Sequence, residues 1–102
     1  MQQRYDERNR DLLVNIDGTL SHRDAAGVSP FDSSVQGGDA VWEGLRVYDG
    51  RIFRLHEHLD RLRRSAEAVA FETVPDDESI IEEIRRTLEA NGMRDGVHIR
   101  LT

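Results

Sequence analysis

The run Val41-Trp42-Glu43-Gly44-Leu45-Arg46-Val47-Tyr48-Asp49-Gly50-Arg51-Ile52-Phe53, followed by Arg54-Leu55-His56-Glu57-His58-Leu59-Asp60-Arg61-Leu62 and then Ser65-Ala66, changes its period midway. Asp49-Gly50 lies between two runs of strand-forming residues. Asp-Gly is a strong signal for a two-residue type I′ hairpin, whose two central positions both need positive φ. That turn sets Val47 opposite Ile52 and Arg46 opposite Phe53, joining a strand over 40–48 to one over 51–55. Alternation then places Val41, Glu43, Leu45 and Val47 on one face and Trp42, Gly44, Arg46 and Tyr48 on the other. The second set is no ordinary core face. A tryptophan, a glycine gap, an arginine and a tyrosine line something polar or aromatic.

From Leu55 the period is helical, with Leu55, Leu59, Leu62, Ala66 and Val69 forming an apolar stripe. Glu57/Arg61 and Asp60/Arg64 are i,i+4 pairs that support this helix. Residues 71–75 break it. Asp76 or Asp77 caps a second helix with Ile80, Ile81, Ile84 and Leu88 inward, and Asn91-Gly92 stops it. After the turn at Asp95-Gly96, Val97-His98-Ile99-Arg100-Leu101 alternates as a strand. A strand running into Thr102 points to a continuation of the chain. Upstream, Leu12-Leu13-Val14-Asn15 turns at Asp17-Gly18 into Thr19-Leu20-Ser21. Residues 22–27 read as loop, Val28-Ser29 as a brief strand, and residues 32–39 as an irregular connection in which Gly37-Gly38 permits close backbone approach. Residues 1–10 read as a disordered polar lead-in and residues 11–102 as one domain. The expected class is α+β: an antiparallel sheet built from hairpins, with two helices packed together on one side.

Composition narrows the function. A formal net charge of −6 argues against general affinity for nucleic acid or an anionic membrane, both of which need clustered positive charge. Arg61, Arg63 and Arg64 make a small basic patch, but Glu57, Asp60 and Glu67 neutralise it. Apolar runs are only a few residues long, too short for a transmembrane helix, and residues 1–10 have no apolar stretch behind them of the kind a secretory leader carries. The absence of cysteine excludes disulfides and thiolate metal sites and fits a cytoplasmic protein. All 14 basic side chains are arginine, so the chain offers no amine except its N-terminus.

His58, Arg61 and Ser65 fall at i, i+3 and i+7 on one helix face. A planar, permanently charged guanidinium beside a histidine and a hydroxyl suits a phosphate group. The competing reading pairs Arg61 with Glu57 on a solvated face. Trp42 reads either as a core anchor or as a ligand wall, and Arg46 on the same face favours a polar cleft. His56 and His58 diverge on the helix and share no metal. Glu82, Glu83, Arg85 and Arg86 form an exposed helix face.

In order along the chain, Trp42-Glu43-Gly44-Leu45-Arg46, the Asp49-Gly50 hairpin, and His58-x-x-Arg61-Leu62-x-x-Ser65-Ala66 resemble the N-terminal small domain of the class IV pyridoxal-phosphate-dependent aminotransferases, the branched-chain branch above all. The resemblance extends from about Leu12 to Leu101. It implies that Arg61 contacts the phosphate of pyridoxal 5'-phosphate and that Trp42 lines the substrate side-chain pocket, with Gly44 leaving room beside it. Arg100 would help recognise the substrate carboxylate. Branched-chain enzymes often carry tyrosines where this chain has Gly37 and His98, so both departures would alter the pocket wall. D-amino acid aminotransferases and class IV lyases share the domain plan and are the alternative activities, with a non-catalytic interaction module a third. The resemblance further implies a homodimer whose substrates are an amino acid, branched-chain in that branch, and a 2-oxo acid. Such enzymes hold their cofactor on a lysine amine, which this chain lacks, so it would carry no catalytic residue of its own and be inactive alone.

Overall fold

The computed structural model describes residues 3–102. Its strands are β1 (Leu13–Ile16), β2 (Thr19–His22), β3 (Glu43–Tyr48), β4 (Arg51–Ile52) and β5 (Val97–Leu101), and its helices are α1 (Ser33–Gln36), α2 (Leu55–Ala68) and α3 (Asp77–Ala90). The class is α+β, but the strands form two antiparallel sheets rather than one: β1-β2, and a three-stranded sheet in the order β4-β3-β5. Both hairpins turn as their sequences demand, with Asp17 and Gly18 at φ 57° and 83°, and Asp49 and Gly50 at φ 49° and 75°. Val47 pairs with Ile52, and Phe53 donates its N–H to the Arg46 carbonyl at 2.9 Å.

Strand β3 carries the core. Leu45 and Val47 are almost fully buried, and Leu45 packs with Leu59 and Leu62 of α2 and Ile80 and Ile84 of α3. The helix stripes read from the sequence therefore converge on one strand. Val69 does not join them, because α2 ends at Ala68 and Val69 is half exposed. Asp76 caps α3 by accepting from Ser79 N–H, and Gly92 follows the helix at φ 60°. The second hairpin strand is shorter than expected because Arg54, at φ 53°, turns the chain into α2.

Three further expectations need adjustment. Residues 32–39 are not wholly irregular, since Asp32 caps the short helix α1. Val28-Ser29 forms no strand. Of the polar lead-in, residues 1–2 lie outside the described residues, and Glu7–Asn9 forms a 3-10 turn capped by Asp6.

The β1-β2 hairpin is fastened to α3 through Asn91. Leu13 N–H donates to Asn91 Oδ1 at 2.8 Å, and Asn91 Nδ2 donates to the Leu13 carbonyl at 2.9 Å, so a side-chain amide stands in for a neighbouring strand. Between the two sheets lies a cleft of about 700 Å³ with β1 and β5 on its walls and Ile80, Ile84 and Leu88 among its lining. β5 is an edge strand. Antiparallel alternation aims the backbone groups of Val97, Ile99 and Leu101 at β3 and those of His98 and Arg100 away from it.

Candidate functional site

Four of the five residues read from the sequence meet on one face of the β3-β5 pair. The register sets Gly44 opposite Arg100 and Arg46 opposite His98. Trp42 precedes β3 and lies half exposed, with the Arg100 guanidinium carbon 4.3 Å from its ring centroid. Stacking of this kind uses the face of the guanidinium and leaves its in-plane N–H donors free for a carboxylate. Gly44 makes room for the arrangement: a Cβ there would stand 3.1 Å from His98 Nε2 and 3.8 Å from Trp42 Cζ3. A glycine gap in the strand is thus filled by the imidazole of its neighbour. Trp42, His98 and Arg100 on this face are exposed.

Arg61 is placed elsewhere. It projects from α2 to the opposite, helix-bearing face of the sheet, where Glu43 points inward. Arg61 Nε donates to both carboxylate oxygens of Glu43 at 3.0 Å, and Nη2 donates to Oε1 at 2.7 Å. His58 Nδ1 lies 2.7 Å from the same Oε1. The expected Glu57/Arg61 pair is not formed; Glu57 pairs with Arg54 instead, across 3.2 Å. Asp60 and Arg64 form no ion pair among the described residues. The two groups of residues are nonetheless close along the chain, because Trp42 and Glu43 are successive residues facing opposite ways at the start of β3.

Glu43 is the residue that sequence reasoning passed over. It is the one buried charged residue among the described residues, only 5% exposed. A carboxylate is costly to bury without charge-assisted partners. Arg61 hydrogen bonds chiefly hold its carboxyl below the ordinary range, against the opposing effect of burial and with help from His58. The signal was present: Glu43 alternates with Val41, Leu45 and Val47 on the core face, and a carboxylate in that register needs a partner.

The arrangement fits part of a phosphorylated cofactor site. The Arg61 side chain remains 60% exposed, and its Nη1 has no hydrogen-bond partner among the described residues. One edge of a fixed guanidinium is thereby left for an oxyanion. No side chain of this chain supplies an amine.

The sequence comparison assigns the family: the chain belongs to the class IV aminotransferases, whose family profile matches residues 40–102. Among its relatives is the branched-chain-amino-acid aminotransferase-like protein 2 of Arabidopsis thaliana, 56% identical over 92% of this chain and 17% of the relative. The D-alanine aminotransferase of Staphylococcus epidermidis is 36% identical over 87% of this chain and 32% of that enzyme. The crystal structure of the branched-chain aminotransferase of the archaeon Thermoproteus uzoniensis with norvaline superposes with a TM-score of 0.74, at 31% identity, over 87% of this chain and 31% of that one. The chain therefore spans between a sixth and a third of the length of these relatives.

Proposed function

We propose that this chain supplies residues from both sides of strand β3 to the cofactor and substrate site of a pyridoxal-phosphate-dependent aminotransferase, which moves an amino group from an amino acid to a 2-oxo acid. The observation that carries the reading is the pairing of Arg100, stacked on Trp42 across Gly44, with Arg61 presented from the other side of the same strand. Arg61 would hold the cofactor phosphate. Trp42 and His98 would bound the substrate side chain, and the free N–H edge of Arg100 would take the substrate carboxylate. The cofactor, when bound, supplies the electron sink for the amino-group transfer. The lysine that anchors it would come from outside these 102 residues, and the working assembly would be a cytoplasmic homodimer. Among the described residues no helix is long and apolar enough to cross a membrane.

The likeness to the plant and archaeal relatives, named as branched-chain aminotransferase-like protein and branched-chain aminotransferase, supports a branched-chain amino acid as the substrate. His98, where many branched-chain enzymes have tyrosine, and the D-alanine aminotransferase relative support a second reading on the same scaffold, a D-amino acid enzyme or a class IV lyase. A panel of L- and D-amino acids offered to the longer protein separates these.

The deciding experiment is the absorption spectrum of that longer protein before and after borohydride. Colour that is discharged on reduction, with cofactor then fixed to a lysine outside residues 1–102, is the expected result. A colourless protein indifferent to added pyridoxal phosphate would leave only the scaffold, serving as an interaction module. The 102-residue chain itself should turn over no amino acid with added cofactor.

A further inference from the structure

We propose that Glu43 is the positioning residue of the cofactor site: it holds the Arg61 guanidinium by one edge so that the other edge faces the cofactor phosphate. The proposal rests on the reading of Arg61 as the phosphate arginine. Three features carry it. Glu43 is buried on the core face of β3, so the packing around it limits the movement of its side chain. Arg61 has a long, flexible stem, and it meets Glu43 through Nε and Nη2, the two donors of one guanidinium edge. His58, one helical turn before Arg61, occupies Glu43 Oε1 from the side, so the carboxylate cannot swing away without losing a second hydrogen bond. Strand, carboxylate, histidine and guanidinium thus form a rigid chain that ends in an open Nη1.

A positioning role and a plain charge effect predict opposite signs. If Glu43 acted only through its charge, its removal would leave Arg61 more positive towards an anion and tighten phosphate binding. If Glu43 positions Arg61, its removal frees the guanidinium and weakens binding, because a preorganised fork loses less freedom on binding its ligand.

The test uses the longer protein, with the dissociation constants of pyridoxal 5'-phosphate and of pyridoxal, which lacks the phosphate, compared for Glu43→Gln, Glu43→Asp and Arg61→Lys. Glu43→Gln should weaken pyridoxal 5'-phosphate binding by about tenfold, the effect of one displaced charge-assisted contact, and leave pyridoxal binding unchanged. The 31P line of the bound cofactor should move or broaden in the same variant. Glu43→Asp keeps the charge but shortens the reach, and should also weaken the phosphate form, so it carries the test if circular dichroism shows that Glu43→Gln has not folded. Equal or tighter cofactor binding in a folded Glu43 variant overturns the proposal. So does an equal loss for pyridoxal, which would mean a purely structural role. Arg61→Lys separates the two levels: if it binds cofactor as the parent does, the reading of Arg61 falls and this inference with it. If Arg61→Lys weakens binding while the Glu43 variants do not, only the Glu43 inference falls.

Discussion

Glu43 ties stability to acidity as well as holding Arg61. Its carboxyl is held below its ordinary value of 4.5, chiefly by the Arg61 hydrogen bonds. The unfolded chain therefore takes up a proton at Glu43 before the folded chain does. The stability this group contributes is complete above the ordinary value and is lost as the pH falls through the lowered native one. Urea unfolding from about pH 6 down to about pH 3 should show stability falling with acidity. The fall should be shallower in Glu43→Gln, while the capping carboxylates Asp32 and Asp76, lowered by Ser34 and Ser79, preserve part of the slope in both proteins. Identical slopes for the two proteins would show that Glu43 contributes nothing there. Legibility at this scale was uneven. Trp42 and Gly44 were readable as neighbours on one strand face because alternation is a local rule, whereas His98 and Arg100 entered only through the family resemblance, since the pairing that sets β5 beside β3 joins residues far apart in the chain. Arg61 was readable as an arginine on a helix face, but its partner was not, because the choice between Glu57 at i−4 and Glu43 across the fold is made by tertiary packing.

Each element follows from its own sequence, and the departures occur where elements meet. The Asp17-Gly18 and Asp49-Gly50 hairpins and the Asp76-capped helix were legible because turn and cap chemistry act within a few residues. The division into two sheets was not legible, since which strand edges meet depends on where Asn91 fastens Leu13. Nor was the exposure of Val69: it sits at helical spacing from Ala66, yet the helix stops one residue short of it. Burial decides the cost of substitution here. Leu45→Ala, at a position with no exposed surface, should lower unfolding free energy by about 2–5 kcal/mol through lost transfer energy and the cavity left behind. Val69→Ala should stay within about 0.5 kcal/mol of the parent. Chemical denaturation of both variants checks the pair, and a Val69 loss as large as that of Leu45 would contradict this packing.

The whole molecule exposes more surface than a self-sufficient domain of its size. Its accessible area is 8061 Å², whereas the scaling for folded monomers of 11.7 kDa gives roughly 5,900 Å². The radius of gyration, 14.2 Å, likewise exceeds the about 13 Å expected at this length. Among the described residues the seven buried apolar ones, Leu45, Val47, Leu59, Leu62, Ala66, Ile80 and Ile84, make a small core, while Phe31, Trp42, Tyr48 and Phe53 stay half exposed or more. Together with the free edge of β5 and the cleft beside it, this surface should drive self-association of the 102-residue chain. Light scattering over a concentration series should show mass rising with concentration. A constant monomer mass would mean that the exposed faces are tolerated in water.

Trp42 is the sole tryptophan, and it lies on the outer wall against Arg100 instead of in the core. The tryptophan emission of this protein therefore reports on one face of one sheet, beside Arg100. A fluorescence titration will register a ligand arriving beside Arg100 without any added label. A fluorescence-monitored melt, by contrast, will follow the loosening of that stack and can run ahead of the loss of helix seen in the far ultraviolet. Two such curves that fail to coincide would reflect where the fluorophore sits, and would not by themselves establish a folding intermediate.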